Sequence, residues 1–486
     1  MSTSASPSAP QPEPRPKKAR PGKPRARKPQ PNRARPQTSA QAAAPAQAPA
    51  PAAAPAAPGP VPQPAVQPQP APVAAAAAAP PPRAGRVLLA VAVATLLAGS
   101  GLALSACGGH AKPQAWQPMT AVAAQAGGPG IADLHNGFPL GAAAGLPGMP
   151  PLLSPTDVYA ADRPNVLSPV VQKFPSRIYV PNTLSNTVTV IDPATYKVID
   201  TIPVGHEPQH VVPSWDLKTL WVNNDLGNSL TPIDPATGAV GKAVDVHDPY
   251  NLYFTPDGKY AVVMASNDHA LVFRDAHTMK LVKSVPSQCA GVNHADFSPD
   301  GRYFIVSCEF SGDLLKVDTA KMEVVAKQKI PIDGSMPQDV KISPDGKVWY
   351  IADMMADGVW ELNGDTFAAP TLLKTGAGAH GLYVSRDSKS LYISNRGEGS
   401  VSVLDFATGK LVHKWWIPGG GSPDMGGVSA DGKVLWLSGR YNAEVYAMST
   451  TDGRLLARIP VGDGPHGLCV YPQPGRYSLG HTGVFR

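Results

Sequence analysis

Histidine and aspartate recur at one position of a repeated pattern between residues 209 and 467 of this 486-residue chain. Imidazole and carboxylate groups that converge on one point can bind a metal ion, ligate haem iron or act as acid and base. The residues occur in pairs that open successive short apolar runs: Gln209-His210, Tyr250-Asn251, Asn293-His294, Gln338-Asp339, His380-Gly381, Asp424-Met425 and His466-Gly467.

Two interpretations of these pairs stay open. In the first, four histidines are cofactor ligands, and two aspartates join them in a metal-binding set: His210, His294, His380, His466, Asp339 and Asp424. In the second, small polar side chains line a wet channel mouth and bind nothing specific. His380, Asp424 and His466 come first in their pairs, whereas the other three come second. Because adjacent strand residues face opposite sides of a sheet, we expect some of the six to point away.

Turn signals recur at a nearly constant interval through the same part of the chain. Pro-Asp-Gly turns such as Pro256-Asp257-Gly258 combine a preset φ, an Asp that bonds to nearby backbone and a Gly at positive φ. The intervals between successive turn aspartates are 41, 43, 45, 42 and 44 residues: Asp216, Asp257, Asp300, Asp345, Asp387 and Asp431. A period in the low forties that contains four β-rich runs is typical of a propeller blade.

The number of repeats predicts an all-β, seven-bladed β-propeller with four-stranded blades. Six complete units begin near residues 207, 248, 290, 336, 378 and 422. The seventh unit is split, because 177–204 starts at a second strand and 465–471 is an inner strand with nothing after it. Pairing these two segments closes the ring and leaves no open sheet edge between the first and last blades.

The repeat resembles a known family. Tyr179-Val180-Pro181-Asn182, Trp221-Val222-Asn223-Asn224, the Val-Ile-Asp-Pro-Ala-Thr run at 190–195 and the Pro-Asp-Gly turns are similar to YVTN-family β-propeller repeats, over essentially all of 177–475. The run 292–304 is also similar to haem d1-type propellers. The first resemblance implies the fold, and this scaffold carries many different functions, so it does not specify an activity.

No recognised catalytic motif occurs in the sequence. A phosphate loop, a nucleophile elbow, a CxxCH haem attachment and zinc-finger spacing are all absent. The leading hypothesis is therefore a non-enzymatic propeller that binds a protein or a surface ligand. The alternative is a propeller that binds a metal ion or haem d1 and handles redox chemistry or a cofactor, and a third hypothesis is a propeller lactonase.

The first 86 residues differ from the rest in composition and charge. They are rich in Pro and Ala and carry twelve Lys and Arg against Glu13, a net charge of +11. The whole-chain charge of +6 therefore leaves −5 for residues 87–486. We expect 1–86 to be a disordered basic arm, and the acidic remainder gives nucleic acid no electrostatic attraction to the propeller.

An uncharged apolar segment follows the arm. The 20 residues 87–106 form a helix of about 30 Å if helical, which is enough to cross a bilayer. The basic arm predicts a cytoplasmic N-terminus, with the propeller on the extracytoplasmic side of the cell membrane. Leu104-Ser105-Ala106-Cys107 resembles a bacterial lipobox, so 87–106 is either a lipoprotein signal with Cys107 lipidated or an uncleaved anchor.

Residues 107–170, rich in Gly, Ala and Pro, are predicted to be a tether, and 171–486 the propeller. The remaining cysteines, Cys289, Cys308 and Cys469, show no metal-binding spacing and no disulfide framework. Cys308 and Cys469 lie in apolar strand patterns, and this location favours small buried thiols over disulfide partners.

Overall fold

Short runs of branched and aromatic residues form 28 strands within residues 145–481 and 485–486, the part of the chain that the computed structural model describes. They make seven four-stranded antiparallel sheets, and the predicted all-β seven-bladed propeller is confirmed. The arm, the apolar segment 87–106, Cys107 and the first part of the tether lie outside the described residues. Among the described residues, no helix is long and apolar enough to cross a membrane.

Each blade runs from an inner strand at the central channel to an outer strand at the rim, with the strands numbered in chain order. The inner strands of blades 2 to 7 and then of blade 1 are β4 (Pro208–Pro213), β8 (Asn251–Phe254), β12 (Val292–Phe297), β16 (Pro337–Ile342), β20 (Ala379–Val384), β24 (Pro423–Val428) and β28 (Cys469–Tyr471). The second strands of blades 1 to 7 are β1 (Arg177–Asn182), β5 (Leu220–Asn224), β9 (Tyr260–Ala265), β13 (Tyr303–Cys308), β17 (Val348–Asp353), β21 (Ser390–Asn395) and β25 (Val434–Gly439).

The outer half of each blade completes the sheet in the same order. The third strands are β2 (Thr187–Asp192), β6 (Ser229–Ile233), β10 (Ala270–Asp275), β14 (Asp313–Asp318), β18 (Gly358–Asn363), β22 (Ser400–Asp405) and β26 (Glu444–Ser449). The outer strands are β3 (Lys197–Pro203), β7 (Val244–Asp245), β11 (Leu281–Pro286), β15 (Glu323–Lys329), β19 (Thr371–Lys374), β23 (Lys410–Trp416) and β27 (Leu455–Pro460).

The repeated Asp organises the turn between the inner and second strands. In blade 4, Ser298 Oγ donates to Asp300 Oδ1 at 2.6 Å, and the amide of Tyr303 donates to Ser298 Oγ at 3.1 Å. Gly301 then takes φ +70°, a conformation that a side chain disfavours. The same hydroxyl-to-Asp bond recurs in blades 2, 3, 5, 6 and 7. The periodic turn signal therefore reflects one hydrogen-bonded loop at the same end of six blades.

The Asn that ends the second strand of several blades has a structural role. Asn182 Nδ2 donates to Thr187 Oγ1 at 3.0 Å and to Thr189 Oγ1 at 2.9 Å on the third strand. Asn224 and Asn395 make the equivalent pairs of bonds in blades 2 and 6. The Nδ2 group of the amide is thus satisfied inside the sheet, and these bonds explain why Asn recurs at this position.

The hydrophobic core of the described region lies between the blades. Seven clusters of buried side chains each join two neighbouring blades, and together they go around the ring. Between blades 7 and 1, for example, Trp436 packs with Ile178, Val470 and Leu468, all 3% exposed or less. Each blade thus has two buried faces, and losing one contact exposes two apolar surfaces at once.

The ring closes within blade 1, as the split seventh unit predicts. Arg177, Ile178 and Tyr179 of β1 pair antiparallel with Tyr471, Val470 and Cys469 of β28. The chain therefore enters and leaves the propeller in the same sheet. The first and last strands are hydrogen-bonded neighbours, so neither is left as a free edge there.

Two further segments cover the turn end of the channel. Residues 145–176 run from blade 3 across blades 4 to 7 to blades 1 and 2. Along this path Leu146 N donates to Asp300 O at 2.7 Å and Tyr159 Oη donates to Ile342 O at 2.7 Å. The chain after β28 crosses blades 2 to 4 at the same end, and Ser478 Oγ donates to Pro213 O at 3.1 Å. The part of the predicted tether between 145 and 170 therefore lies against the blades.

Cys289 and Cys308 form a disulfide in blade 4, between the loop before β12 and the end of β13. The expectation that Cys308 is a free buried thiol was therefore wrong. The two residues are 19 apart in sequence, and only the return of β13 antiparallel to β12 places them side by side. Cys469 is free and buried, as its apolar surroundings suggested.

The closing pair gives a test of the closed ring. Val470→Asp places an unpaired carboxylate in the interface between blades 7 and 1, and we expect it to lower the free energy of unfolding by about 3 kcal/mol or more. The matched control is Val412→Asp on outer strand β23, where the side chain is 48% exposed and the change should stay within about 0.5 kcal/mol. Equal free energies of urea unfolding for the two variants would show that β28 does not close the ring.

Candidate functional site

A β-bulge gives the inner strands two adjacent residues that both face the channel. In blade 4, Val292 pairs with Cys308 and Ala295 pairs with Val306, so Asn293 and His294 stand opposite a single residue. The same shift occurs in blades 2, 5, 6 and 7. Two residues against one let neighbouring side chains leave the strict alternation of a strand. The one-residue offset within the sequence pairs therefore separates the side chains into two levels.

The deeper level holds three histidines. His210, His294 and His481 are 0% exposed, and each offers one ring nitrogen within 4.8 Å of the others. Their ring centroids lie 4.8 to 5.5 Å apart. Neither ring nitrogen of His210 or of His294 has a hydrogen-bond partner. We call this group the lower cluster.

The space for the lower cluster depends on a glycine. A Cβ on Gly467, the second residue of its pair, would lie 2.0 Å from Nδ1 of His210. Any side chain there would push the imidazole out of the channel. The His466-Gly467 pair of blade 1 thus contributes a histidine to the level nearer the channel mouth and no side chain to the deeper level.

His481 is held by the side chains around it. Asn251 Oδ1 accepts the amide of Leu252 at 2.9 Å, which fixes the orientation of the Asn251 amide. Its Nδ2 therefore faces Nδ1 of His481, at 3.1 Å. On the other side of the ring, Nε2 lies 3.5 Å from Asp339 Oδ1. The carboxylate of Asp339 also accepts the amides of Val340 and Leu382, both at 2.9 Å.

The level nearer the mouth holds His380, Asp424 and His466, whose ligand atoms also lie within 4.8 Å of one another. Here the carboxylate is surrounded by cations and hydrogen-bond donors. Asp424 Oδ1 lies 2.9 Å from Nδ1 of His380 and 3.1 Å from Nη1 of Arg396. Nε2 of His466 and Nε of Arg440 approach its Oδ2 at 3.7 and 3.9 Å. We call this group the upper cluster.

Above the upper cluster, a pocket of about 450 Å³ opens at the channel mouth. His380 and His466 contribute to its floor, beside Gln209, Gln338 and Tyr250. Its walls come from the four-residue turns that join the second and third strands, with Arg396 and Arg440 on blades 6 and 7 and acidic residues on blades 2 and 4. We call this cavity the mouth pocket. A cavity of this size suits a small molecule.

Burial controls the charge of the site. It lowers the pKa of His210, His294 and His466 well below the usual value, and neighbouring histidines and Arg440 add to the effect. These imidazoles are therefore neutral, the form that ligates metals. Burial alone would raise the pKa of Asp424, but His380, Arg396 and His466 outweigh it and hold that pKa well below its usual range.

The structure places all six predicted site residues in the channel and divides them. His210 and His294 enter the lower cluster, and His380, Asp424 and His466 form the upper cluster. Asp339 joins neither, because its oxygens hold the inner-strand backbone. His466 of the upper cluster and His210 of the lower cluster still lie close, with ring centroids 4.8 Å apart, so the interpretation of the four histidines as ligands of one cofactor stays a prediction. His481 was missed because it follows the last repeat, where periodicity gives no signal.

The fold and the channel define a seven-bladed β-propeller with a buried histidine cluster beneath an open pocket. A model of the YNCE-like β-propeller family matches residues 147–475, about two thirds of the sequence. The chain belongs to this YNCE-like family. No curated protein matches it significantly.

Several solved structures are similar to the chain at low sequence identity. A functionally unknown protein from Desulfotomaculum acetoxidans DSM 771 has 17% identity and a TM-score of 0.50, covering 60% of this chain and 98% of its own. Hydrazine synthase from Kuenenia stuttgartiensis has 21% identity, coverages of 56% and 92% and a TM-score of 0.49. The dihydro-haem d1 dehydrogenase NirN, in complex with DHE, has 16% identity, coverages of 63% and 76% and a TM-score of 0.46.

The buried imidazoles predict a pH dependence of stability. In the unfolded chain His294 takes up a proton as the pH falls through about 6.5, whereas in the metal-free folded protein burial keeps it neutral. Each such group therefore lowers the free energy of unfolding by about 1.4 kcal/mol per pH unit below that point. His294→Asn removes one group, and urea unfolding between pH 7.5 and 5.5 should show the variant losing less stability than the parent. Parallel profiles would contradict a neutral buried His294.

Proposed function

We propose that this propeller binds one transition-metal ion in its channel through the lower cluster. The observation that carries the proposal is the state of His210 and His294, which are fully buried with all four ring nitrogens lacking hydrogen-bond partners. Burying an unsatisfied polar group costs free energy, and native proteins rarely leave such groups without a partner. A metal ion would take one of the two nitrogens of each neutral imidazole, the unprotonated one, and would need no hydrogen-bond donor nearby.

The donor set indicates the kind of metal. Three imidazoles form a set used for Zn²⁺ and suited to Cu²⁺, and such a set leaves room for a further ligand from solvent or substrate. Within the proposed site, Asp339 takes a supporting role, because a carboxylate beside the second nitrogen of a ligating histidine fixes its ring. The binding of His481 through Nδ1 would replace its contact with Asn251.

The upper cluster is a weaker metal site on electrostatic grounds. Asp424 already has Arg396 at 3.1 Å and a second guanidinium at 3.9 Å. A divalent cation there would be repelled by both positive charges and would compete with them for the same carboxylate. The lower cluster instead has a carboxylate beside it, because Asp339 Oδ1 lies 3.5 Å from Nε2 of His481.

The metal proposal is tested by titrating the purified chain with Co(II) and Zn(II). The parent should bind one equivalent of Co(II) with a visible absorption band, and His294→Asn should lose it because ligands act as a set. His380→Asn, in the upper cluster, and His277→Asn, in an exposed turn, serve as matched controls and should keep it.

Loss of the Co(II) band in the His380→Asn control, or no binding by the parent, would contradict this assignment. The same variants titrated with haem address the haem d1 alternative, for which saturable Soret-band changes would be the result. If the parent binds neither metal nor haem, the remaining hypothesis is a binding scaffold that has no cofactor.

We further propose that the propeller lies on the extracytoplasmic side of a cell membrane, held by residues 87–107. The disulfide between Cys289 and Cys308 supports this location, because such bonds persist in oxidising compartments and are rare in the cytosol. The positive charge of residues 1–86 points the same way.

Protease added to intact cells tests the topology. It should remove the propeller and leave an epitope on residues 1–80 protected, whereas the opposite pattern would contradict the proposed location. Cys107→Ser distinguishes the two forms of anchor: loss of acyl labelling and of precursor processing indicates a lipoprotein, and unchanged mobility indicates an uncleaved anchor.

A further inference from the structure

The mouth pocket carries a surplus of positive charge on one side. Arg396 of blade 6 and Arg440 of blade 7 line it, and both approach Asp424. Two guanidinium groups against one carboxylate leave one uncompensated positive charge, and a guanidinium fork matches a carboxylate in shape.

The opposite side of the mouth pocket is acidic. Glu207 and Asp225 of blade 2 and Glu309 of blade 4 line it, on the far side of the ring from blades 6 and 7. Burial and the neighbouring Asp248 raise the pKa of Asp225 to about 8, so its carboxyl is mainly protonated at neutral pH. The negative charge therefore comes from Glu207 and Glu309, and no Lys or Arg pairs with either among the described residues.

The floor between these walls presents unused hydrogen-bond acceptors. Gln209 Nε2 donates to Glu207 Oε1 at 3.1 Å, and Gln338 Nε2 donates to Met336 O at 3.3 Å. These bonds fix both amides, and the Oε1 atoms of Gln209 and Gln338 are left buried without a partner. Because both residues are at most 4% exposed, the orphaned oxygens call for a ligand that donates hydrogen bonds.

The rim adds apolar surface. The second residue of each turn between the second and third strands points outward, and in five blades it is a large apolar or aromatic residue. Three of these, Leu226, Phe310 and Tyr441, also line the mouth pocket, although they are 52%, 64% and 71% exposed. Exposed apolar side chains around a polar pocket favour a ligand with an apolar body.

From this arrangement we propose that the mouth pocket binds a small zwitterion with an apolar body, of the size of a short unblocked peptide. Its carboxylate lies at Arg396 and Arg440, its ammonium group lies at Glu207, Glu309 and the two Gln oxygens, and its apolar part contacts the rim. The pocket lies above the proposed metal site and shares no side chain with it, so either proposal can fail alone.

Calorimetric titration with an alanyl-leucyl-alanine tripeptide tests the proposal, first on the parent protein without metal and then with Zn(II). The free tripeptide should bind in both, and blocking either end, by N-acetylation or C-amidation, should weaken binding about tenfold or more, because each removes one charge-assisted contact. Failure of the free peptide to bind, or equal binding of the blocked forms, would overturn the proposal without any variant.

Variants then assign each end of the peptide to its wall. Arg440→Gln should weaken the free acid about tenfold and leave the amide unchanged, whereas Glu309→Gln should weaken the free amine and leave the acetylated peptide unchanged. Arg454→Gln and Glu323→Gln change the same charges on exposed positions of the same two blades and should have no effect. Equal losses of affinity for all three peptides would mean that the two walls of the pocket do not recognise the terminal charges of the peptide, and this would overturn the assignment.

Discussion

The pairing of β28 with β1 is the contact on which the rest of the molecule depends. Each interblade cluster needs a blade on both sides, so seven interfaces exist only in a closed ring. Closure also sets the width of the channel, because the inner strands cannot move apart once the first and last strands share a sheet. The convergence of side chains from different blades on one axis follows from this single antiparallel pair, formed between residues almost 300 positions apart in sequence.

Within that ring, a local irregularity determines the chemistry. A regular strand would send His294 and Asn293 to opposite faces, and the channel would receive one residue per blade. The bulges give it two, and in blades 2, 5 and 6 the upper residue of the pair, Gln209, Gln338 or His380, lines the pocket whereas the lower one does not. The levels differ in electrostatics as well. Asp424 holds the guanidinium groups near the mouth, whereas the deeper imidazoles lie beside the carboxylate of Asp339.

The sequence was sufficient for the architecture because each blade repeats the same local physics. The signals are short-range: the Asp of each turn, the Asn at the end of a strand and the alternation of Val188 and Val190 with polar residues. Their repetition makes them detectable in the sequence. The sequence predicted the site only in part. Which residues face the channel depends on bulges, and the disulfide partner of Cys289 depends on strand register. His481 lies beyond the repeat, and only the path of the tail brings it beside His294.

The position of His481 after the closing strand has a consequence for biosynthesis. A nascent chain contains His210 and His294 long before the ring is complete. Two imidazoles on separate blades of an unclosed ring bind a metal ion only weakly. The third imidazole follows every blade strand in the chain, and it arrives only when the tail folds back against Leu252 and Phe254 of blade 3. Metal binding at the proposed site would thus be confined to the assembled protein, and incompletely synthesised chains would not bind the wrong metal there.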